Sequence, residues 1–372
     1  MILCVAANPS VDRVARIDEL HAGAIHRPTD VTVVPGGKGL NAARAAAVLG
    51  GDVIAAALLA GHAGRFVAER LEREGVRLEA VWAREGETRT SYTVAPAEGP
   101  LTEFYERGDE VAVDVWEDFA ALVRRLATSA DWLAISGSLP AGAPGDGYVG
   151  LMGSAHTAFD SAEAGIEGRP ALVKVNRHEA ARLTGADDPA AAARILAESS
   201  SGAAVVTLGV EGAVAVDGDG RDWTATLDAR GAYPVGSGDC FLAGMVVALD
   251  RGEPFDSALR LATGAAAANA ELRGRRCSTA AVPSSWPPAR RSLAADPRAG
   301  GVEQADVGAV ERQPHPLARG RHNARSQPRD HLAAAIQAAV DDRLVAQRLD
   351  DVHSDLDRVA AVVARRRQRL GP

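Results

Sequence analysis

The sequence predicts an α/β fold: a three-layer sandwich with a mostly parallel sheet, helices on both faces and a small β lid. Three observations carry this. Short apolar runs alternate with helical periodicity through residues 1–282, as expected of strands buried beneath crossover helices. Glycine turns stand where such runs give way to helices, at Pro35-Gly36-Gly37 and at Gly236-Ser237-Gly238. One hairpin lacks a helix partner: residues 88–95 and 101–105 carry Thr, Tyr, Val and Phe around Glu98-Gly99-Pro100, so it should stand off the main sheet.

The elements follow in chain order. Residues 2–7 form a short apolar run, read as a buried strand. Residues 31–34 are a second β-rich run that stops at Pro35, and residues 42–49 read as a helix closed by Gly50-Gly51. Residues 52–60 are a strand, 64–74 a helix and 77–83 a strand; His62, just before that helix, reads as a loop residue. After the hairpin, residues 115–129 are helical and 132–136 form a strand. Residues 171–175, 203–208 and 213–216 are further strands, and 240–249 and 255–272 are helices. The strand-like text before Pro35 joins the hairpin in a lid drawn at about residues 12–35 and 88–107.

The chain has 372 residues, 47% hydrophobic and 24% charged, which excludes wholesale disorder, collagen and a disulfide scaffold. No stretch approaches the roughly 18 uncharged apolar residues of a membrane span. No basic segment precedes an apolar one at the N-terminus, and Cys4, Cys240 and Cys277 form no paired pattern; both features point to a reducing, cytoplasmic setting. A net charge of −8 argues against a nucleic-acid partner. Of 41 basic residues only Lys38 and Lys174 are lysine. A compact ammonium on a flexible stem does what a planar guanidinium cannot, so both positions are candidates for special roles.

From about residue 283 the text changes. It opens with Pro283-Ser284-Ser285-Trp286-Pro287-Pro288, and it holds 15 Arg against 11 acidic residues with no Lys, Phe or Tyr. Residues 283–330 are expected to be irregular, with limited proteolysis clipping there first. Residues 331–369 are expected to be helical, because Leu349, Val352, Leu356, Val359 and Val363 recur at steps of three and four. The organisation is thus a domain at 1–282, an irregular segment at 283–330 and a helical tail at 331–372.

Chemistry concentrates in five motifs. Gly236-Ser237-Gly238-Asp239 precedes a small, apolar helix. Its glycines let backbone N–H groups converge at a positive helix end, a nest for phosphate or developing phosphoryl charge. A carboxylate beside such a nest repels phosphate, so Asp239 makes sense as a base that takes a proton from an attacking hydroxyl; an N-capping Asp is the plainer alternative. Gly37-Lys38-Gly39-Leu40-Asn41 puts a Lys and an Asn at another helix start, without the glycine spacing of a Walker A loop. It suits a ligand with hydroxyls and an anion, or is an ordinary glycine turn.

The other three motifs follow strands. Asn8-Pro9-Ser10-Val11-Asp12 lies where ligands sit in open α/β sheets, so Asp12 could bind two sugar hydroxyls; turn chemistry explains it equally. Asn176 and Glu179 share one face of a first helical turn and could hold a hydrated Mg²⁺, or form a capping box. Thr207-Leu208-Gly209-Val210-Glu211-Gly212 spaces its glycines as close approach of a nucleotide requires, or is a plain hairpin. No Ser/His/Asp triad is evident, and none of the nine His has zinc-site spacing.

Taken together and in this order, the motifs over residues 1 to about 275 resemble the PfkB or ribokinase-like family of sugar kinases. Thr88-Arg89-Thr90 and Ser136-Gly137-Ser138-Leu139-Pro140 are similar to the branch acting on phosphorylated ketohexoses, which includes 1-phosphofructokinase and tagatose-6-phosphate kinase. The resemblance implies a ribokinase-like fold and an ATP- and Mg²⁺-dependent kinase. It implies that fructose 1-phosphate is converted to fructose 1,6-bisphosphate; tagatose 6-phosphate or fructose 6-phosphate is the alternative substrate, and an impaired sugar-phosphate binder the alternative function. It gives Asp12 and Asn41 to sugar hydroxyls, Lys38, Arg89 and Ser138 to the substrate's existing phosphate, and Gly37 to substrate binding. Lys174, Thr207, Gly209 and Gly212 fall to ATP, with Asn269 near the adenine. Asn176 and Glu179 fall to Mg²⁺. Asp239 is the base, and Gly236, Ser237 and Gly238 the anion hole. Partners are small molecules, with no membrane or nucleic acid, and a homodimer through the lid is allowed. Two departures stand out. The text between Pro140 and Lys174 is about ten residues short of a helix–strand–helix, which could weaken one sheet position. The last 90 or so residues are unrelated to the family, as a shifted reading frame in a GC-rich gene or an appended helix would produce.

Overall fold

A computed structural model of the chain describes residues 1–226, 235–271 and 290–291. An inner strand of the main sheet is β1 (Ile2–Ala6), buried along its whole length, with β4 (Val53–Leu59) and β8 (Trp132–Ser136) parallel on its two sides. Burial on both faces accounts for the unbroken apolar text of these strands. Beyond β4 the sheet ends in the parallel β5 (Arg77–Trp82). Beyond β8 it continues through β9 (His156–Asp160), β10 (Leu172–Asn176) and β11 (Ala203–Thr207), all parallel. It then turns antiparallel at β12 (Ala213–Val216) and β13 (Asp222–Ala225). Arg290–Arg291, within the segment expected to be irregular, forms a two-residue strand β14 against Trp223 and Thr224 of β13. The remainder of 283–330, and all of 331–372, lie outside the described residues.

Strand alternation assigns the helices to faces. Ile2, Cys4 and Ala6 of β1 pack with α1 (Lys38–Val48), α2 (Gly61–Arg73), α6 (Ser237–Asp250) and α7 (Phe255–Glu271). Leu3 and Val5 point the other way, onto α3 (Val113–Ala127). On that face α5 (Pro189–Ser199) covers Val173, Val175, Ala204 and Val206, and Ala180 of α4 (Arg177–Thr184) joins the same cluster. Because α2 begins at Gly61, His62 lies in its first turn rather than in a loop. Among the described residues, no helix is long and apolar enough to cross a membrane.

The second sheet has four strands in the order β3 (Asp30–Gly36), β2 (Ser10–Ile17), β6 (Thr90–Pro96), β7 (Thr102–Tyr105). It contains the expected hairpin, but β2 is a correction: residues 10–12 are not a turn but the start of its central strand, parallel to β6 and antiparallel to β3. Arg13 and Arg16 interrupt its apolar pattern, which is why the text does not read as a strand. Buried Arg44 of α1 donates to Glu74 at 2.5 and 3.1 Å and to the Pro35 carbonyl at 3.1 Å, fastening the end of β3 to the core.

The short stretch between Pro140 and Lys174 does not weaken the sheet. Full helices are replaced by single turns at Val149–Leu151 and Ile166–Gly168, yet β9 pairs with both neighbours. Tyr148, Leu151 and Phe159 are fully buried, with the Tyr148 and Phe159 rings edge-to-face at 6.0 Å. Tyr148 and Leu151, in one core cluster with Phe159 of β9, thus cover the strand where a helix would have lain.

Candidate active site

The C-terminal ends of β1, β8, β9, β10 and β11 open into a cleft of about 1230 Å³, the position at which open α/β sheets bind ligands. One drug-sized ligand occupies roughly 300–1,000 Å³, so there is room for two reactants. The N-termini of α1 and α6 enter it from one face, and Arg89, Tyr105 and Glu106 reach it from the second sheet and its borders.

Gly236 carries the chain into α6 with φ 82°, a left-handed conformation that glycine adopts at little cost. Ser237, Gly238 and Asp239 form the first turn, and all four residues line the cleft. A Cβ on Gly238 would lie 2.9 Å from Lys174 Nζ, so a side chain there would displace that ammonium from the nest. Asp239 is 6% exposed. Burial, with the Asp160 carboxylate adding to it, pushes its pKa up to about 6. Asn41 Nδ2 donates to Asp239 Oδ2 at 2.8 Å.

The two lysines share one partner. Lys174 Nζ meets Asp160 Oδ2 at 2.7 Å, and Lys38 Nζ meets Asp160 Oδ1 at 3.2 Å. Burial opposes ionisation of Asp160, but Lys174 and Lys38 outweigh it and hold the carboxyl below its ordinary range. Asp160 in turn raises Lys38, which also pairs with Glu179 Oε1 at 3.1 Å. Lys38 lines the cleft while its ammonium pairs with carboxylates of β9 and α4.

On the opposite wall, buried Asp12 accepts from Ser10 Oγ at 2.7 Å. Arg89 Nε donates to Asn8 Oδ1 at 3.0 Å, and Asn8 Nδ2 donates to Ser138 Oγ at 3.1 Å. Asn8 thus joins two expected phosphate contacts, Arg89 and Ser138, and Gly37 lines the same cleft. Thr207, at the end of β11, and Gly209 and Gly212, beyond it, also line the cleft.

Asn176 and Asn269 both have protein partners. Asn176 Oδ1 accepts from the N–H groups of His178 and Glu179, and Glu179 Oε2 accepts from the Asn176 N–H, all at 2.9 Å. This is the capping box, and it commits the Asn176 oxygen that a metal would need. Glu179, whose carboxylate is on the cleft wall, does fit a hydrated Mg²⁺ held through water. Asn269 lies beneath the cleft: its Nδ2 donates to the Val235 carbonyl at 2.9 Å and to Ser237 Oγ at 3.2 Å, bracing the loop that enters α6.

The sequence assigns no site role to Asp160, nor to Asn8 and Ser136, which open two of its motifs. Asp160 does carry a signal, an acid at the C-terminal end of a parallel strand in register with Ser136. Ser136 Oγ is buried and has no hydrogen-bond partner among the described residues.

Residues 2–280 match the model of the pfkB family carbohydrate kinases. The chain belongs to this family. A PfkB relative, the 1-phosphofructokinase of Haloferax volcanii, is 32% identical over 279 residues, covering 70% of this chain and 88% of that protein. Phosphofructokinase-2 of Escherichia coli, solved with potassium, superposes with a TM-score of 0.68 at 26% identity, over 74% of this chain and 94% of its own. Arabidopsis thaliana ribokinase, solved with ribose and ATP, shares the fold with a TM-score of 0.60 at 19% identity, over 73% and 93%. As a PfkB kinase the chain is a phosphotransferase acting on a carbohydrate, with a ribokinase-like fold.

Proposed function

We propose that this PfkB kinase transfers the γ-phosphoryl group of ATP to fructose 1-phosphate, giving fructose 1,6-bisphosphate. The observation that carries this is the buried Asp239 at the mouth of α6, beside Asn41 and across from two lysines held on one carboxylate. The likeness to a 1-phosphofructokinase supports the substrate. Fructose 6-phosphate is the second reading, favoured by the Escherichia coli enzyme solved with it at 26% identity; tagatose 6-phosphate is the third. The intact β9 and its Asp160 favour an active enzyme over a mere binder.

In this reading Asp239 accepts the proton of the attacking hydroxyl, and burial keeps it basic enough near neutrality. The N–H groups of Ser237 and Gly238, with Lys174, face the transferred group where its charge develops. Asp12 and Asn41 orient the sugar, and Arg89 with Ser138 holds its existing phosphate. Mg²⁺, when bound, supplies charge neutralisation on the donor's phosphates, and Glu179 would hold it through water. The second sheet, closing over the cleft, would exclude water. Its exposed Tyr92 and Phe104, opposite each other in the β6–β7 pair, support pairing with a second copy.

The test is ADP release with ATP and Mg²⁺ across fructose 1-phosphate, fructose 6-phosphate and tagatose 6-phosphate. The highest kcat/KM is expected for fructose 1-phosphate. Binding of these sugars without ADP release would overturn the kinase reading in favour of a binder.

A further inference from the structure

Asn41 is 4% exposed and lies in the first turn of α1. Its amide has two unlike ends. Nδ2 donates to Asp239 Oδ2 at 2.8 Å, whereas Oδ1 is buried without a hydrogen-bond partner among the described residues. The orientation follows from chemistry: an ionised carboxylate only accepts, so the amide must turn its NH₂ toward it. The oxygen left over can only accept, and a buried acceptor is costly until a donor arrives. A sugar hydroxyl is such a donor. The groups facing Asp239 from the packed elements are Asn41 and Lys38 on α1, Asp160 on β9 and Lys174 on β10. Of these, Asn41 is the one hydrogen-bonded to it.

We propose that Asn41 is the positioning residue of the base: it fixes the Asp239 carboxylate through Oδ2 and leaves Oδ1 to take the proton. This rests on the kinase reading above. The proton passes from the acceptor hydroxyl to Asp239 Oδ1. The electron pair of the O–H bond stays on the sugar oxygen and forms the new O–P bond, while the P–O bond to the departing ADP breaks. Because a substrate hydroxyl donating to Asn41 Oδ1 would lock the same amide, sugar binding and base orientation pass through one side chain. Asn41 then affects kcat as well as sugar KM, which a plain binding residue does not.

The experiment is the pH profile of kcat, at saturating sugar phosphate, for the wild-type chain, Asn41→Ala and Asn41→Asp. Loss of the donated hydrogen bond disfavours the ionised carboxylate, so in Asn41→Ala the acid limb should move up by about half to one pH unit. Its kcat at neutral pH should fall about tenfold as the base loses its orientation, with KM for ATP unchanged. Asn41→Asp keeps the shape and so guards against a folding defect. Facing carboxylates share a proton, so its limb should move up further. A limb that stays in place in both variants, while sugar KM alone rises, would overturn the proposal and leave Asn41 as a sugar contact. A wild-type chain that turns over none of the three sugar phosphates would instead overturn the kinase reading and this inference together.

Discussion

Asp239 shows how function and stability oppose each other in one side chain. Its pKa is raised to about 6, so between the ordinary carboxylate range and that value the folded chain binds more protons than the unfolded one. Stability from this group therefore falls as pH rises through roughly 4 to 6, and the ionised form is costly at neutrality. Asp239→Asn should keep or raise the melting temperature at pH 7.5 while lowering kcat by about 10²–10⁴-fold. A variant with near-normal kcat would reduce Asp239 to an acidic residue of the first turn of α6, whose cap is Gly236. In the wild type, kcat should decline below pH 6 as the base is protonated. The two cationic positions have different partners. Arg89, tied to Asn8 and so to Ser138, should raise KM for the sugar phosphate far more than for ATP when changed to Ala. Lys38 bridges Asp160 and Glu179, so Lys38→Ala should raise both KM values, and an effect confined to the sugar would place it on the sugar's side.

At the level of elements, the strands that read clearly were those buried on both faces: residues 132–136 and 213–216 have the bounds of β8 and β12. Helix α5 went unread although Asp188 caps it, accepting from Ala191 N at 2.9 Å, and Pro189 opens it; its alanines carry little periodic contrast. Strand β9 depends on neighbours the sequence made look deficient. Tyr148 packs on Phe159 and donates its hydroxyl to the Gly137 carbonyl at 3.1 Å. Tyr148→Ala should therefore cost about 3–5 kcal/mol of stability, as for other large buried aromatics. It should also raise KM for both substrates, since β9 carries Asp160. Thermal melts and steady-state kinetics measure the two effects; a destabilised variant with unchanged KM values would separate the cover from the site.

For the whole molecule, the second sheet is where a partner is predicted. Phe104 is 61% exposed and Tyr92 42%, and Arg13 sits over the Tyr92 ring at 5.8 Å. These groups form an aromatic and cationic face that a second copy can cover. Phe104→Asp should convert a dimer to a monomer in sedimentation velocity while leaving the melting temperature of the core within a few degrees. A wild-type chain that sediments as a monomer at micromolar concentration would dismiss pairing through the lid.

The sequence alone determined the alternating sheet, the cleft at its strand ends and most of the residues around it. Apolar runs and glycine turns are local patterns, and the motifs Gly37–Asn41 and Gly236–Asp239 lie where a strand hands over to a helix. Only the tertiary structure decided which partners those residues have. Asp160 lies 122 residues from Lys38, and Asn41 lies 198 from Asp239. No periodicity reports a hydrogen bond across such a distance; it exists because parallel strands bring their C-terminal ends side by side. The same physics gave Asn176 and Asn269 their partners: backbone groups at the start of α4 and just before α6 lay within reach of each amide.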